Sequence, residues 1–270
     1  LMQTGTVDAI MQAASRAPDE MRWQLYRRAA AKAVEEGATE RARQIITDSV
    51  TNPQQREQLL RELDQQLFWR AANQGDAQQA LSLLQRFKSP EERTMMLLAL
   101  ARAAEARGDR TLAARLLEEV MGQAGGGGRA GNLNQFSMQL QAGQAYARVA
   151  PDRAFQIAES GVEHLNELVA AAVQIDGFGQ EAFDQGELKL EGSVWSMLIQ
   201  QTGELLGLLA QQDFTRARDI AGRFQRPEAR AHAMLSISRG ILGGDNNSRP
   251  GQGRRRGGRV PLVAPAGRRQ

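Results

Sequence analysis

The sequence predicts an all-α protein built as a helical solenoid, and three observations carry that prediction. The first is self-similarity: Gly75-Asp76-Ala77-Gln78-Gln79-Ala80 returns 33 residues later as Gly108-Asp109-Arg110-Thr111-Leu112-Ala113. The second is an apolar stripe behind each final alanine. Leu83, Leu84 and Phe87 in one copy, and Leu116, Leu117 and Val120 in the other, lie three, four and seven positions on, the spacing of an amphipathic helix. The third is punctuation, since Pro53-Gln54-Gln55-Arg56, Pro90-Glu91-Glu92-Arg93 and Pro227-Glu228-Ala229-Arg230 each open a helical pattern in the same way. A fixed period of this length marks an array in which each hairpin buries its apolar face on its neighbours.

Taken in order, Val7, Ile10, Met11 and Ala14 have the spacing of the second helix of a hairpin whose first helix is missing. A first helix then starts at Pro18 and runs through Trp23, Tyr26, Ala30 and Ala33 to a turn at Gly37. Its partner carries Ala42, Ile45 and Ile46, and Asn52-Pro53 closes it, because the residue before a proline is pushed out of the α region. Leu60, Leu63, Leu67 and Ala71 precede Gly75-Asp76, and Leu97, Leu100, Ala101 and Ala104 precede Gly108-Asp109.

Residues 125–132 form a Gly-rich loop that separates an N-terminal array, 1–124, from a C-terminal one, 133–244. Phe136, Leu140, Ala145 and Val149 mark the next first helix. Ala154, Ile157, Ala158 and Gly161 mark its partner, which Leu165, Leu168, Val169 and Ala172 lengthen. Residues 176–192 break the pattern with four Gly and the alternating run Glu187-Leu188-Lys189-Leu190-Glu191, and are read as a short irregular insertion. The array resumes with Trp195, Leu198, Leu205 and Leu208, then a turn at Asp213, then Ala217, Ile220, Ala221 and Phe224. Met234, Ile237 and Ile241 form a last helix ending near Gly243-Gly244-Asp245, and 245–270 is a Gly/Arg-rich tail expected to be disordered.

Composition agrees. With 41% hydrophobic but only 5% aromatic residues, the core is mostly Ala, Leu and Ile, which suits close-packed helices. The net charge of +3 hides two parts: residues 249–270 hold seven Arg and no acid, leaving the array mildly acidic. With no Cys, there are no disulfides, thiol nucleophiles or Cys-ligated metals. No run of 18 apolar residues is present to span a membrane. Neither a charged n-region nor an apolar h-region opens the sequence, position 1 is Leu, and the compartment stays undecided.

The hairpins resemble tetratricopeptide repeats over residues 18–121 and more loosely over 133–242. The family's five-residue interval from Gly to Ala is kept at Gly37 and Ala42, Gly75 and Ala80, and Gly108 and Ala113. Its Leu followed by a small residue is approached by Leu100-Ala101 and, with a larger second residue, by Leu67-Phe68. The chain departs from the pattern at the family's Trp position, filled by Tyr26, Asp64 and Leu97, and at its Tyr position, filled by Ala33, Ala71 and Ala104. The resemblance implies a right-handed solenoid of antiparallel hairpins whose inner groove is lined by Gln24, Arg27, Gln65, Trp69, Leu98 and Arg102. The Lys and Asn pattern with which some members hold a C-terminal carboxylate is not found at these positions, so that ligand is not carried over.

Chemistry finds few footholds. Gly126-Gly127-Gly128-Arg129-Ala130-Gly131 matches G-x-G-x-x-G, but it comes after a helix rather than the strand that would aim it at a pyrophosphate, and reads as a linker. His164 and His232 fall in different repeats without zinc-ligand spacing, and no nucleophile elbow surrounds any serine. The insertion's acids lack the order of a calcium loop. The expectation is therefore a non-catalytic scaffold for a protein or peptide, with no metal and no cofactor. Weak self-association through the unpaired end helices is expected as well. The alternative is a nucleic-acid-associated protein using Arg254, Arg255, Arg256 and Arg259 of the tail. That reading is weakened by the lack of any aromatic residue from 249 to 270 to stack a base.

Overall fold

The computed structural model describes residues 5–126, 129–175, 183–184, 187–188 and 193–247. Gly127, Gly128, most of the 176–192 insertion, and the tail with Arg254, Arg255, Arg256 and Arg259 lie outside the described residues. Twelve helices and one two-residue-by-two-residue hairpin make up the described fold, which is all-α.

The turns show why the chain doubles back where it does. Helices α1 (Val7–Arg16) and α2 (Asp19–Glu35) are followed by Gly37 at φ 80°, α4 (Pro53–Gln74) by Gly75 at φ 84°, and α6 (Pro90–Ala106) by Gly108 at φ 83°. A side chain in this left-handed region meets its own carbonyl, so glycine closes each helix at least cost. The amides of Ala38, Asp76 and Asp109 then donate to Ala33 O, Ala71 O and Ala104 O at 2.8, 3.0 and 3.0 Å, three copies of one helix-ending motif. Asp76 and Asp109 next cap the succeeding helices, α5 (Ala77–Leu84) and α7 (Arg110–Gln123), accepting from the amides of Gln79 and Leu112 at 2.9 Å each. The first copy has Ala38 in place of Asp, and α3 (Thr39–Ser49) accordingly starts without a side-chain cap.

Asn52 and Ser89 cap α4 and α6 just ahead of Pro53 and Pro90, whose missing N–H falls where no helical acceptor exists. The second half continues with α8 (Leu133–Val149), α9 (Pro151–Ile175), strands β1 (Phe183–Asp184) and β2 (Glu187–Leu188), α10 (Val194–Ala210), α11 (Phe214–Gly222) and α12 (Pro227–Asn247). β1 and β2 pair antiparallel with Phe183 opposite Leu188, so both apolar side chains share one face and are buried. Arg226 lies over the Phe183 ring at 4.8 Å, and the Leu188 amide donates to Glu228 at 3.2 Å, which seats the hairpin against the start of α12.

Packing follows chain order. The pairs α2/α3, α4/α5, α6/α7, α8/α9 and α10/α11 pack as hairpins, and α8 also rests on α6 and α7. One continuous core therefore runs from Val7 to Ile237, across the Gly-rich loop that separates the two arrays in sequence. Each fully buried Leu or Ile contributes roughly 1.5–3 kcal/mol.

Several expected core positions shift by one. Leu59 is buried and Leu60 only half-buried, because α4 packs its Leu59, Leu63, Leu67 and Phe68 stripe inward. Helix α5 stops at Leu84. Phe87 lies beyond it yet stays buried, because a tightened turn, with the amides of Arg86 and Phe87 donating to Leu83 O and Leu84 O at 3.0 and 3.2 Å, folds it back inward. In α8 the buried stripe runs through Phe136, Gln139, Leu140, Ala142, Tyr146 and Ala147, leaving Ala145 and Val149 half-buried. Helix α12 continues through Gly243 and Gly244 to Asn247, past the expected start of the tail.

Candidate peptide-binding groove

Helices α2 and α4 head successive hairpins but barely meet, whereas α10 and α12 lie against one another along much of their length. The gap between α2 and α4 is an open groove of about 390 Å³. Its floor is apolar: Ala30 and Ala31 on α2, Ile46 on α3, and Leu59 and Leu63 on α4. Small residues at 30 and 31 keep the α2 wall low, so the space is left by sequence rather than by loose packing.

Polar groups edge the floor. Arg27 Nη2 reaches across from α2 to Glu62 Oε2 of α4 at 3.1 Å, and this exposed pair adds little to stability. Gln65 Nε2 donates to Glu92 Oε1 of α6 at 2.9 Å, which ties its amide to the next hairpin. Gln66 completes the rim.

Trp69 stands at the end of this wall, 44% exposed. Its ring meets that of Phe68 edge-on, at 5.6 Å between centroids and 79° between planes, and Phe68 in turn meets Phe87 at 6.4 Å and 87°. Phe68 is fully buried. Trp69 thus packs against a rigid aromatic stack while a large part of its surface is left in water, the condition of an unpaired interface anchor.

Of the six residues expected to line an inner groove, Arg27, Gln65 and Trp69 come together here. Gln24 is exposed on α2 but outside the groove lining. Leu98 is buried within α6, where it serves the core and offers no surface to a ligand. Arg102 is exposed further along α6; desolvation by its surroundings lowers its pKa, but a guanidinium starts so far above neutrality that it keeps its charge. Glu62 and Gln66 escape the sequence reading. They sit two turns and one turn, respectively, from Trp69 on the same helical face, and that spacing is the signal that could find them.

No known protein family, curated protein or solved structure matches the chain.

Elsewhere the described residues bring together little reactive chemistry. His164 stacks on Phe136, 5.0 Å between centroids, and burial lowers its pKa. His232, on α12 rather than α9, has a buried Nδ1 without a hydrogen-bond partner among the described residues and lies beside the α10/α12 contact. No group of three or more His, Asp or Glu that could hold a metal occurs among the described residues. No described helix is long and apolar enough to cross a membrane.

Proposed function

We propose that the chain is a right-handed, tetratricopeptide-like solenoid of antiparallel hairpins, acting as a non-catalytic scaffold that takes a protein or peptide segment into the α2/α4 groove. The fold reading is supported by the threefold Gly turn and the Asp caps after two of its copies, and by helices that pack on near neighbours in chain order. The observation that carries the function is Trp69, packed against Phe68 yet 44% exposed at the end of an apolar-floored groove. Helix grooves with an aromatic anchor and a polar rim suit a short amphipathic segment. Peptides selected by display on the wild-type chain should lose affinity on the order of tenfold or more with Trp69→Ala, the scale of an interface hot spot. The circular dichroism of that variant should stay helical. Selection that yields only peptides indifferent to Trp69 removes this reading.

The outer face of α12 exposes Leu235, Ile241 and Leu242, which favours weak self-association. Sedimentation should show it weakening when Ile241 and Leu242 are made polar. The nucleic-acid alternative rests on the sequence of Arg254, Arg255, Arg256 and Arg259 alone. A salt titration of oligonucleotide binding, with and without residues 249–270, decides between the two readings.

A further inference from the structure

The side of α4 turned away from the groove forms the wall of a second cleft, about 550 Å³, closed by α3 and by the α5–α6 turn. Arg43, Arg56, Arg61, Arg86 and Lys88 line it against three carboxylates, Glu57, Asp64 and Glu92. Every one of those carboxylates is already engaged. Asp64 is buried and pairs with both Arg43 and Arg86, the latter at 3.3 Å. Lys88 Nζ donates to Glu57 Oε1 at 2.6 Å, and this bond holds the Glu57 carboxyl below its ordinary value, with Arg61 adding a smaller pull. Glu92 accepts from Gln65.

Two guanidiniums remain. The side chain of Arg56, half-buried, has no hydrogen bond or ion pair among the described residues, and Arg61 acts on Glu57 only through space. Asp64, shared between two arginines, leaves a local surplus of positive charge while holding both guanidiniums in place.

We infer that this cleft docks an acidic peptide segment, whose carboxylates are taken by Arg56 and Arg61. Guanidinium forks match discrete carboxylates bidentately. A nucleic acid is a poorer fit: a continuous phosphate chain would run past three fixed carboxylates. The aromatic residue lining the cleft, Phe87, is 3% exposed and packed on Phe68, so it offers no face to a base. Arg56 and Arg61 lie outside the α2/α4 groove, whose Gln65 enters only through its bond to Glu92, so either site can fail alone.

Fluorescence anisotropy on the full chain tests it, with a labelled peptide of alternating glutamate and serine and its glutamine counterpart as the neutral control. The acidic peptide should bind, weaken with salt, and lose affinity on the order of tenfold or more in the double variant Arg56→Ala/Arg61→Ala. Neither side chain donates a hydrogen bond among the described residues, so the variant should keep its helical circular dichroism. Should it fail to fold, Arg56→Lys with Arg61→Lys keeps charge and stem but removes the planar fork, and a partial loss is expected. Arg254→Ala/Arg255→Ala in the tail and Trp69→Ala in the groove should each leave binding unchanged. Any of four results overturns the inference: equal binding by the Arg56/Arg61 variants, equal binding of the glutamine peptide, an equal loss in the tail or Trp69 variant, or tighter binding of a single-stranded oligonucleotide with the same arginine dependence.

Discussion

The helices that head the hairpins stand apart in the first half of the chain and press together in the second. Between α2 and α4 the facing residues are Arg27, Glu62, Gln65 and Gln66, long side chains that bridge a gap and leave a groove. Between α10 and α12 the facing residues are Gly203, Gly207, Ser236 and Gly240. A Cβ at Gly240 would come within 2.3 Å of Gly207 O, and one at Gly207 within 2.7 Å of Ser236 O. The same hairpin plan therefore yields binding space or solid packing according to the size of the residues where successive helices face one another. Glycines spaced by four along one helix face remove the side chains that would hold the backbones apart.

The largest effect expected bears on whether these halves are energetically one object. Leu84→Ala in α5 and Leu206→Ala in α10 each truncate a buried leucine and should cost roughly 2–5 kcal/mol by chemical denaturation. Glu92→Ala, half-buried and bonded to Gln65, should cost far less. Because helices pack on near neighbours, hydrogen exchange should accelerate most in the half that carries the change. Equal acceleration throughout would mean that α6 and α7 couple to α8 strongly enough to erase the distinction.

A direct test of the spacing itself comes next. Gly240→Ala must push α12 off α10 and should cost about 1–3 kcal/mol, as overpacking does. Ala31→Leu, directed into the open α2/α4 groove, should change stability by no more than about 0.5 kcal/mol. Similar costs at the two sites would show that the groove is closed in solution.

A smaller, pH-dependent effect is confined to the second half. His164 on α9 is depressed below 6.5 mainly by burial and also by Arg129, against the opposing pull of Glu167. Above that value the imidazole is neutral folded and unfolded and contributes no pH dependence. As pH falls through 6.5 the unfolded chain takes up a proton that the folded chain resists, so stability declines. Denaturation midpoints should fall on mild acidification, and His164→Gln should flatten that decline. The smallest effect expected is that of Tyr146→Phe. Burial pushes the Tyr146 hydroxyl pKa up, and the nearby Glu118 charge adds to this, yet the oxygen has no hydrogen bond of good geometry. Removing it should leave stability within about 0.5 kcal/mol or raise it. A larger loss would reveal a bond to Glu118.

Local chemistry decides which parts of the fold are legible in the sequence. Gly37, Gly75 and Gly108 can be placed because a left-handed residue after a helix strongly favours glycine, and Asp76, Asp109 and Asp213 because a capping carboxylate serves the next few amides. Trp69 is legible as an aromatic residue off the leucine stripe. Leu98 is not a groove residue, contrary to the sequence expectation, because α6 is enclosed from both sides. It buries Met96, Leu97, Leu98 and Leu100, so a face that would be polar on an outer helix is core here. The opposition of Gly207 and Gly240 is hidden for a different reason: it depends on the relative slide of two helices, which no local pattern states. The cleft around Asp64 is likewise unreadable, since Arg43 and Arg86 reach it from 21 and 22 residues away.

Two arginines tie the first half together at one end. Arg70 Nη1 of α4 donates to Val34 O of α2 at 2.8 Å, and Arg107 Nη1 at the end of α6 donates to Ala72 O of α4 at 2.6 Å. Both acceptors are last-turn carbonyls, where a cation also answers the negative end of the helix dipole. Each tie crosses from one hairpin to the first helix of the next. A fragment trimmed to whole hairpins, ending after α3 or after α5, would therefore leave its final Val34 or Ala72 carbonyl without the arginine that completes it. A cut after α4 loses the Arg107 bond to Ala72 as well, so of these boundaries only one placed after Arg107, at the end of α6, keeps both ties, and shortened versions should be cut there.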